Sequence, residues 1–293
     1  MISLDYVEPE SVQETVGLLE QHGEDAHLIA GGTSVVLMLK QQLISPTLLI
    51  GLGRAGIHNG IRMTRDGCVE IGALASHREV ELSRTIADYA NGLAEAFGHI
   101  ATVRVRNQGT IGGNLAHADP AQDPPPVLLA LDATVRVTGS DGGRTMPISS
   151  LFVDYYETSL QPTDVITAVE LPPRPANSHL VYLKYVPRSQ DDYATTGVAV
   201  SAAFAAGRWA DVRIALSAAG PVPMRIGTAE TALDGTDADD SAAVRRAAEI
   251  VADEVDPLAD MRGSADYKRE MAVVWTRRAL LQLAARRGEE MRG

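Results

Sequence analysis

The chain has 293 residues, of which 45% are hydrophobic and 22% are charged, so we expect two domains, or three small ones, with buried cores and no wholesale disorder. Lys and Arg total 26 and Asp and Glu total 38, which gives a formal net charge of −12 and disfavours nucleic acid and anionic membranes as partners. The single cysteine, Cys68, excludes an intrachain disulfide and any all-cysteine zinc or iron–sulfur site built by this chain alone.

The N-terminus predicts a cytoplasmic protein. Residues Met1–Glu10 include Asp5, Glu8 and Glu10 and lack the basic and apolar regions of a signal peptide. No apolar run in the sequence approaches the ~20 residues of a membrane-spanning helix. We therefore expect no membrane span.

Residues 1–54 predict a small unit of strands and helices. Ser11 and Glu14 have the spacing of a capping box, so a helix is expected to begin there and to end near Gly23. A strand, a helix and a strand are then expected at His27–Ala30, Ser34–Gln41 and Leu48–Ile50.

The following segment, up to residue 176, mixes strands and helices. A glycine-rich polar stretch, Val103–His117, interrupts its regular elements, and a loop is expected within it, at Asn107–Asn114. The regular elements are short strands within Gly56–Gly72, a helix over His77–Ala96, a helix where three prolines precede Val127–Leu131, and a strand at Thr134–Thr138.

A proline-rich segment, residues 171–178, predicts a domain boundary, because its prolines continue neither a helix nor a β-ladder. We place the first domain at residues 1–176, with subdomains of about 1–54 and 55–176, and the second at residues 177–293. Strands followed by helices predict that the second domain is α+β, with its helices on one face of a sheet. The strands are expected at Val181–Val186, Gly197–Ala205 and Val212–Ala218, and the helices at Ser241–Glu254 and Tyr267–Arg287.

The first of two glycine loops follows the predicted strand at His27–Ala30. Paired glycines let a backbone turn sharply and approach a ligand, and the next helix would direct free N–H groups at an anion. The loop lacks the G-x-G-x-x-G fingerprint and the P-loop lysine, and an ordinary strand–helix turn is the alternative. Its residues are Ala30, Gly31, Gly32, Thr33 and Ser34.

The second glycine loop is Asn107–Asn114, and its amides and hydroxyl would form a phosphate cradle without lysines. A glycine-rich β-bulge or hairpin is the alternative for this loop alone. Two such loops in one chain favour a single diphosphate held from two sides. The second loop would contribute Thr110, Ile111, Gly112, Gly113 and Asn114.

Asp123 follows the second loop and is placed to accept hydrogen bonds from ligand hydroxyls. The alternative is that its carboxylate caps the helix that begins at Pro124. A metal site made of His117, Asp119 and Asp123 has no further ligand cluster to support it, so we expect no metal.

The two loops also carry a family resemblance. Ala30–Ser34 and Arg106–Pro120 resemble the two FAD-pyrophosphate motifs of the molybdenum hydroxylases, in the medium, FAD-binding subunits of aerobic carbon monoxide dehydrogenase and bacterial xanthine dehydrogenases. Tyr182–Lys184 and Asp192–Thr195 are similar to the start of the C-terminal domain of that family. The resemblance implies an α+β protein with a vanillyl-alcohol-oxidase (PCMH)-type FAD-binding domain followed by a smaller α+β C-terminal domain.

The resemblance also implies which residues hold FAD. The two loops would bind its diphosphate, and Asp123 would contact ribityl or ribose hydroxyls. Lys184 and Tyr193 would lie beside the isoalloxazine, with Thr102 and Leu160 near the cofactor. No metal ligand, and no catalytic residue beyond the flavin, is implied on this chain.

Lys184 and Tyr193 have physical roles that do not depend on the family. An ammonium at the pyrimidine edge of a reduced flavin stabilises the negative charge there in a partly dry site. A tyrosine ring covers a flavin face by offset stacking. The alternatives are a solvated lysine at a strand edge and an ordinary core tyrosine.

Electron transfer by one subunit of a complex is the favoured function. The family implies a large molybdopterin subunit that oxidises the substrate and a small subunit with [2Fe–2S] clusters. This chain would take electrons onto FAD and pass them to NAD, oxygen, a quinone or another carrier, in a heterotrimer. Two alternatives remain: a stand-alone FAD-dependent oxidase or reductase, for which the seven scattered histidines offer no evident catalytic constellation, and a non-enzymatic nucleotide-binding or assembly protein.

Overall fold

The computed structural model of the chain describes residues 4–175, 177–189 and 191–290. The predicted boundary residue Ala176 lies outside these ranges, as do the ends of the two predicted domains, residues 1–3 and 291–293. Within the described ranges, every helix is too short or too polar to cross a membrane.

The N-terminal subdomain is a three-stranded parallel sheet with two helices. Its elements are β1 Asp5–Val7, α1 Val12–His22, a 3₁₀ turn Gly23–Asp25, β2 Ala26–Ile29, α2 Val35–Lys40, β3 Leu48–Gly51 and a 3₁₀ turn Leu52–Arg54. The strand order is β1–β3–β2. Ser11 caps α1 as predicted, since its Oγ accepts the N–H of Glu14 at 3.1 Å. The Glu14 carboxylate accepts from the N–H of Glu10 rather than from that of Ser11, so the capping box is only half formed.

The second subdomain is built on a five-stranded antiparallel sheet. Its elements are β4 Ile61–Met63, β5 Val69–Gly72, α3 His77–Leu82, α4 Arg84–Gly98, α5 Val103–Gln108, α6 Ile111–His117, α7 Pro124–Ala130, β6 Thr134–Gly139, β7 Gly142–Pro147, a 3₁₀ turn Ile148–Ser150, β8 Phe152–Asp154, β9 Glu157–Thr158 and β10 Val165–Leu171. The order is β4–β5–β10–β6–β7, and β8 and β9 form a separate hairpin.

This subdomain differs from the sequence prediction in several elements, among them the short strands β7, β8 and β9, which were not predicted. The helix expected over His77–Ala96 is divided at Ser83, which ends α3 and caps α4. The stretch expected to contain a loop is largely helical, as α5 and α6, because Thr102 and Thr110 each accept a backbone N–H three residues further on and start a helix. Strand β10, which was not predicted, lies at the centre of the sheet between β5 and β6.

The C-terminal domain is α+β, as predicted. Its elements are β11 Ser178–Tyr185, β12 Thr196–Ala205, β13 Arg208–Ser217, β14 Met224–Arg225, α8 Gly227–Leu233, α9 Ser241–Glu254 and α10 Ala265–Glu290. The antiparallel sheet has the order β11–β12–β13–β14. Only the two-residue β14 and the short α8 were not predicted.

The C-terminal sheet buries both of its faces. Side chains alternate across a strand, and on β11 Val181 packs into the core under the C-terminal helices while Leu180 and Tyr182 pack into the core of the first domain. The two domains therefore share one of their cores, and β11 lies at the packed interface between them.

Candidate functional site

The structure brings the two glycine loops into contact. An ideal Cβ on Gly31 would lie 1.7 Å from the carbonyl oxygen of Gln108, so only a glycine permits this approach. Gly31 lies between β2 and α2, and Gln108 belongs to the second loop and ends α5. The two loops, although far apart in sequence, are therefore in contact. Such proximity is required if both loops hold the same ligand.

Backbone N–H groups of the first loop are available to an anion. Among the described residues, the N–H groups of Gly32, Thr33, Ser34 and Val35 donate to no acceptor. Gly32 has a φ of 73°, which turns the chain sharply at this point. Successive free N–H groups form an anion-binding concavity, so this loop fits the diphosphate of FAD.

The second loop ends in the first turn of α6, and the hydrogen bonds of its amides differ from those of the predicted cradle. The N–H of Ile111 donates to the carbonyl oxygen of Ala75 at 3.0 Å, and that of Gly112 donates to Ala73 at 2.9 Å. The N–H of Gly113 donates to Thr110 Oγ1 at 3.2 Å. These three amides already have protein acceptors, so the expectation that they form the phosphate cradle is corrected.

Glycine is required at position 112 for a different reason from the one expected. An ideal Cβ on Gly112 would lie 2.8 Å from the Cβ of Ala73 and 2.9 Å from its carbonyl oxygen. The close approach is therefore to the protein backbone rather than to a ligand. It fixes α6 against the chain that follows β5.

Two buried side-chain oxygens, one on α6 and one in the segment after it, remain available to a cofactor. The Oδ1 atom of Asn114 is buried and accepts no hydrogen bond from the described residues. The Oε1 atom of Gln122 is in the same situation a few residues later. Because a buried polar oxygen without a donor is unfavourable, both atoms suit a ligand that brings hydroxyl donors. The second motif therefore fits FAD through side chains more than through backbone amides.

Asp123 is the centre of a buried network that joins the two domains. Its Oδ1 accepts from the hydroxyl of Tyr182 at 2.6 Å, and its Oδ2 accepts from the ammonium of Lys184 at 2.9 Å. The ammonium also donates to the carbonyl oxygen of His99 at 2.9 Å. Burial raises the pKa of the Asp123 carboxyl above its ordinary value, and the positive charge of Lys184 opposes that shift.

Three prolines explain why Asp123 does not cap the helix that follows it. Pro124, Pro125 and Pro126 fill the first turn of α7, and proline has no N–H to donate to a capping carboxylate. The Asp123 side chain makes no capping hydrogen bond. The helix-cap alternative is therefore wrong, and both carboxylate oxygens are free to accept from β11.

Lys184 lies at the domain interface with its side chain only 3% exposed, which excludes the alternative of a solvated edge lysine. An ammonium has three N–H donors, and two of them are used by Asp123 and His99. In the described part of the chain the third N–H has no acceptor. This third N–H is available to a ligand that binds beside Lys184.

Tyr193 is a partly exposed aromatic ring rather than a core residue. It is 45% exposed, and the guanidinium of Arg262 lies over the ring, 5.6 Å from its centroid. Arg262 is itself held by Asp192, 2.7 Å away. A cation on one face leaves the rest of the ring free to cover an aromatic ligand.

A second network lies near Tyr193 and contains residues that the sequence pattern did not single out together. The Tyr156 hydroxyl donates to Asp119 Oδ2 at 3.1 Å, and the Tyr156 ring lies 5.3 Å from that of His117. Burial and the charge of Asp119 raise the pKa of Tyr156 to about 12. Tyr156 was passed over because neither motif nor periodicity marks it.

The remaining predicted site residues lie at the edges of this region. Thr102 is exposed and caps α5, and Leu160 is half-buried and packs on the core of the first domain. Within residues 4–175, 177–189 and 191–290, no three His, Cys, Asp or Glu side chains are grouped in a way that could hold a metal ion. Asp119 and Asp123 instead take protein donors.

Tyr182 is the residue of the Asp123 network that sequence reasoning missed. It precedes Lys184 by two positions, and residues i and i+2 of a strand share one face. That spacing could have placed Tyr182 beside Lys184. The spacing could not identify the hydrogen-bond partner of Tyr182, Asp123, because it lies 59 positions earlier in the chain.

Two family sequence models match the chain. The one described as the FAD binding domain in molybdopterin dehydrogenase matches residues 2–174, and the one described as the CO dehydrogenase flavoprotein C-terminal domain matches residues 181–283. The first of them alone spans more than half of the sequence.

Individual proteins are similar over almost the whole length. The 6-hydroxypseudooxynicotine dehydrogenase complex subunit alpha of Paenarthrobacter nicotinovorans is 36% identical over 280 residues, which is 95% of this chain and 93% of that protein. The carbon monoxide dehydrogenase medium chain of Hydrogenophaga pseudoflava is 36% identical over 276 residues, covering 94% and 95%. A solved structure of carbon monoxide dehydrogenase from the same organism superposes with a TM-score of 0.93 at 37% identity, over 97% of this chain and 98% of that one.

Proposed function

Because this chain belongs to the family of FAD-binding medium subunits of molybdenum hydroxylases, we propose that it takes electrons from the [2Fe–2S] clusters of a partner subunit and passes them to an external acceptor. The observation that carries the proposal is the pairing of a free N–H run, at Gly32–Val35, with a second motif that touches it. This pairing is what a dinucleotide cofactor held from two sides needs.

FAD would be held along the interface between the two domains. When bound, it supplies a ring that accepts electrons singly and releases them as a pair. The first loop would hold the diphosphate through its free amides, and Asn114 would accept from a hydroxyl of the cofactor. The residues proposed to bind FAD are Ala30, Gly31, Gly32, Thr33, Ser34, Thr102, Thr110, Asn114, Asp123, Leu160, Lys184 and Tyr193. Ile111, Gly112 and Gly113 would instead shape the second motif through their contacts with the protein.

Two side chains would act on the isoalloxazine end. The Lys184 ammonium holds a positive charge in a buried position, where it would stabilise negative charge gained by the ring. Tyr193 presents an exposed ring that would cover part of the flavin and exclude water.

The redox partners would be separate chains. A single cysteine cannot ligate an iron–sulfur cluster, so the clusters and the molybdopterin would reside on a small and a large subunit. The names of the relatives, a medium chain and a complex subunit alpha, support a place in such an assembly. The acceptor would be NAD, oxygen, a quinone or another carrier, and we place the complex in the cytoplasm.

The test is native purification of this chain with the proteins that accompany it, followed by visible absorption spectroscopy. We expect flavin bands, iron–sulfur absorbance and two further subunits. Rapid reduction of the flavin by a small molecule in the isolated chain would favour a stand-alone enzyme. A colourless chain that does not take up added FAD would overturn the proposal and favour a non-enzymatic nucleotide-binding or assembly protein.

A further inference from the structure

We propose that Asp123 is a positioning residue that holds Lys184 in place and partly neutralises its charge, so that Asp123 and Lys184 shift the flavin potential in opposite directions. The inference rests on the proposed function, since it takes Lys184 to lie beside the flavin. It differs from a direct contact between Asp123 and cofactor hydroxyls, because the effect of Asp123 acts through a neighbouring side chain.

The geometry of the network supports a positioning role. Lysine has a long, flexible side chain, yet here its ammonium is fixed by Asp123 Oδ2 at 2.9 Å and by the carbonyl oxygen of His99 at 2.9 Å. Both partners belong to the first domain, while Lys184 belongs to β11 of the second. The two contacts leave one N–H and fix the direction in which it points.

The electrostatics of the network support a neutralising role. Asp123 is 5% exposed and the Lys184 side chain is 3% exposed, so water screens their charges little. A lone buried ammonium would strongly favour negative charge nearby, whereas an ammonium paired with a carboxylate at 2.9 Å forms a dipole with no net charge. The field at the flavin would therefore depend on both residues.

Tyr182 is the third member of the network formed by Asp123 and Lys184. Its hydroxyl donates to the second carboxylate oxygen of Asp123 at 2.6 Å, which favours the ionised carboxylate. The Tyr182 ring is buried and lies 6.1 Å from the ring of His99. Loss of this donor would weaken the hold on Asp123 and disfavour its ionised form, so the charge of Lys184 would be neutralised less completely.

The experiment measures the midpoint potential of bound FAD by spectroelectrochemistry in the holoprotein. Lys184→Met removes the cation and leaves Asp123, so the potential should fall. Asp123→Asn leaves the ammonium without its counterion, so the potential should rise. Tyr182→Phe should raise it by less, and it is the substitution that disturbs packing least. Glu230→Gln, which removes one negative charge on α8 beside Arg225, is the matched control and should leave the potential unchanged.

The outcomes separate the two proposals. If the wild-type chain holds no FAD, the proposed function itself is refuted. If FAD is bound, shifts of the same sign in Lys184→Met and Asp123→Asn would overturn the inference. An unchanged potential in Asp123→Asn would also overturn the inference. If Asp123→Asn does not fold, an unchanged potential in Tyr182→Phe would overturn it. A weaker affinity for FAD in Asp123→Asn, with no rise in potential, would assign Asp123 to direct cofactor binding instead.

Discussion

Gly92 of α4 and Leu180 of β11 approach each other so closely that an ideal Cβ on Gly92 would lie 2.5 Å from the carbonyl oxygen of Leu180. Gly92 belongs to the first domain and Leu180 to the second, so this contact sets how near the two domains come. Tyr182 and Lys184 follow Leu180 on the same face of β11. Packing at Gly92 therefore helps to place the charged network at the domain interface.

We expect Gly92→Ala to destabilise the protein by about 1–3 kcal/mol, because a methyl group is forced into backbone at a tight contact. Urea unfolding of the apoprotein measures this loss. The control is Gly17→Ala in α1, where a Cβ would meet no atom within 4 Å. That substitution should stabilise the helix by about 0.5–1 kcal/mol. Equal effects of the two substitutions would contradict the close contact between the domains.

Gly31→Ala should both destabilise the apoprotein and reduce its retention of FAD. The added Cβ would meet the carbonyl oxygen of Gln108, so the loops must separate, at a cost of about 3 kcal/mol. Gly53→Ala is the control, since the nearest atom to its Cβ would be Glu8 Oε1 at 3.6 Å. Unfolding without FAD and flavin content after gel filtration are the two measurements. A loss of FAD with no change in apoprotein stability would mean that ligand space, not loop contact, requires this glycine.

Local patterns were sufficient to predict much of the fold. The helix Ser241–Glu254 has the predicted limits, and the alternating strands of the second domain lie where expected, because periodicity and caps are local properties. The features that the sequence analysis missed depend either on long-range strand pairing or on a single local hydrogen bond. Central strand β10 was missed because its pairing with β5 and β6 is long-range, and the break at Ser83 depends on one side-chain cap.

The site was only partly accessible from the sequence. The sequence predicted that the two loops hold one ligand from two sides, which requires them to lie close together, but it did not predict the contact between Gly31 and Gln108. The partners of the second-loop amides could not be predicted, because Ala73 and Ala75 accept from them across the fold. The same holds for the link between Asp123 and Tyr182, which requires two domains to pack.

Stability should fall as the pH is lowered, through His77. Burial and the charge of Arg106 lower the pKa of His77 from 6.5 to about 4. The unfolded chain therefore binds a proton that the folded chain does not, and stability is lost as the pH falls from about 6.5 towards about 4. The full contribution is about 3 kcal/mol.

His77→Gln isolates this contribution from that of the acidic residues. The variant should lose most of the extra slope of unfolding free energy between pH 6.5 and 4, measured by urea unfolding at several pH values. Because the His77 ring packs against Gly109 at the start of the second loop, FAD retention of the wild type should weaken over the same range. A slope identical to that of the wild type would contradict the buried, neutral state of His77.

Tyr193 provides the test of where the flavin ring lies. Its ring is 45% exposed, with Arg262 over one face, and a stacked aromatic contact contributes about 1 kcal/mol beyond area burial. We therefore expect Tyr193→Ala to weaken FAD binding by roughly fivefold to tenfold, as measured by titration of the apoprotein followed through flavin fluorescence. Tyr193→Phe keeps the ring and should bind FAD like the wild type. Since the residue is exposed, neither substitution should change apoprotein stability by more than about 0.5 kcal/mol. An affinity equal to that of the wild type in both variants would place the isoalloxazine away from Tyr193, whereas the same loss in both would assign the contact to the phenolic hydroxyl.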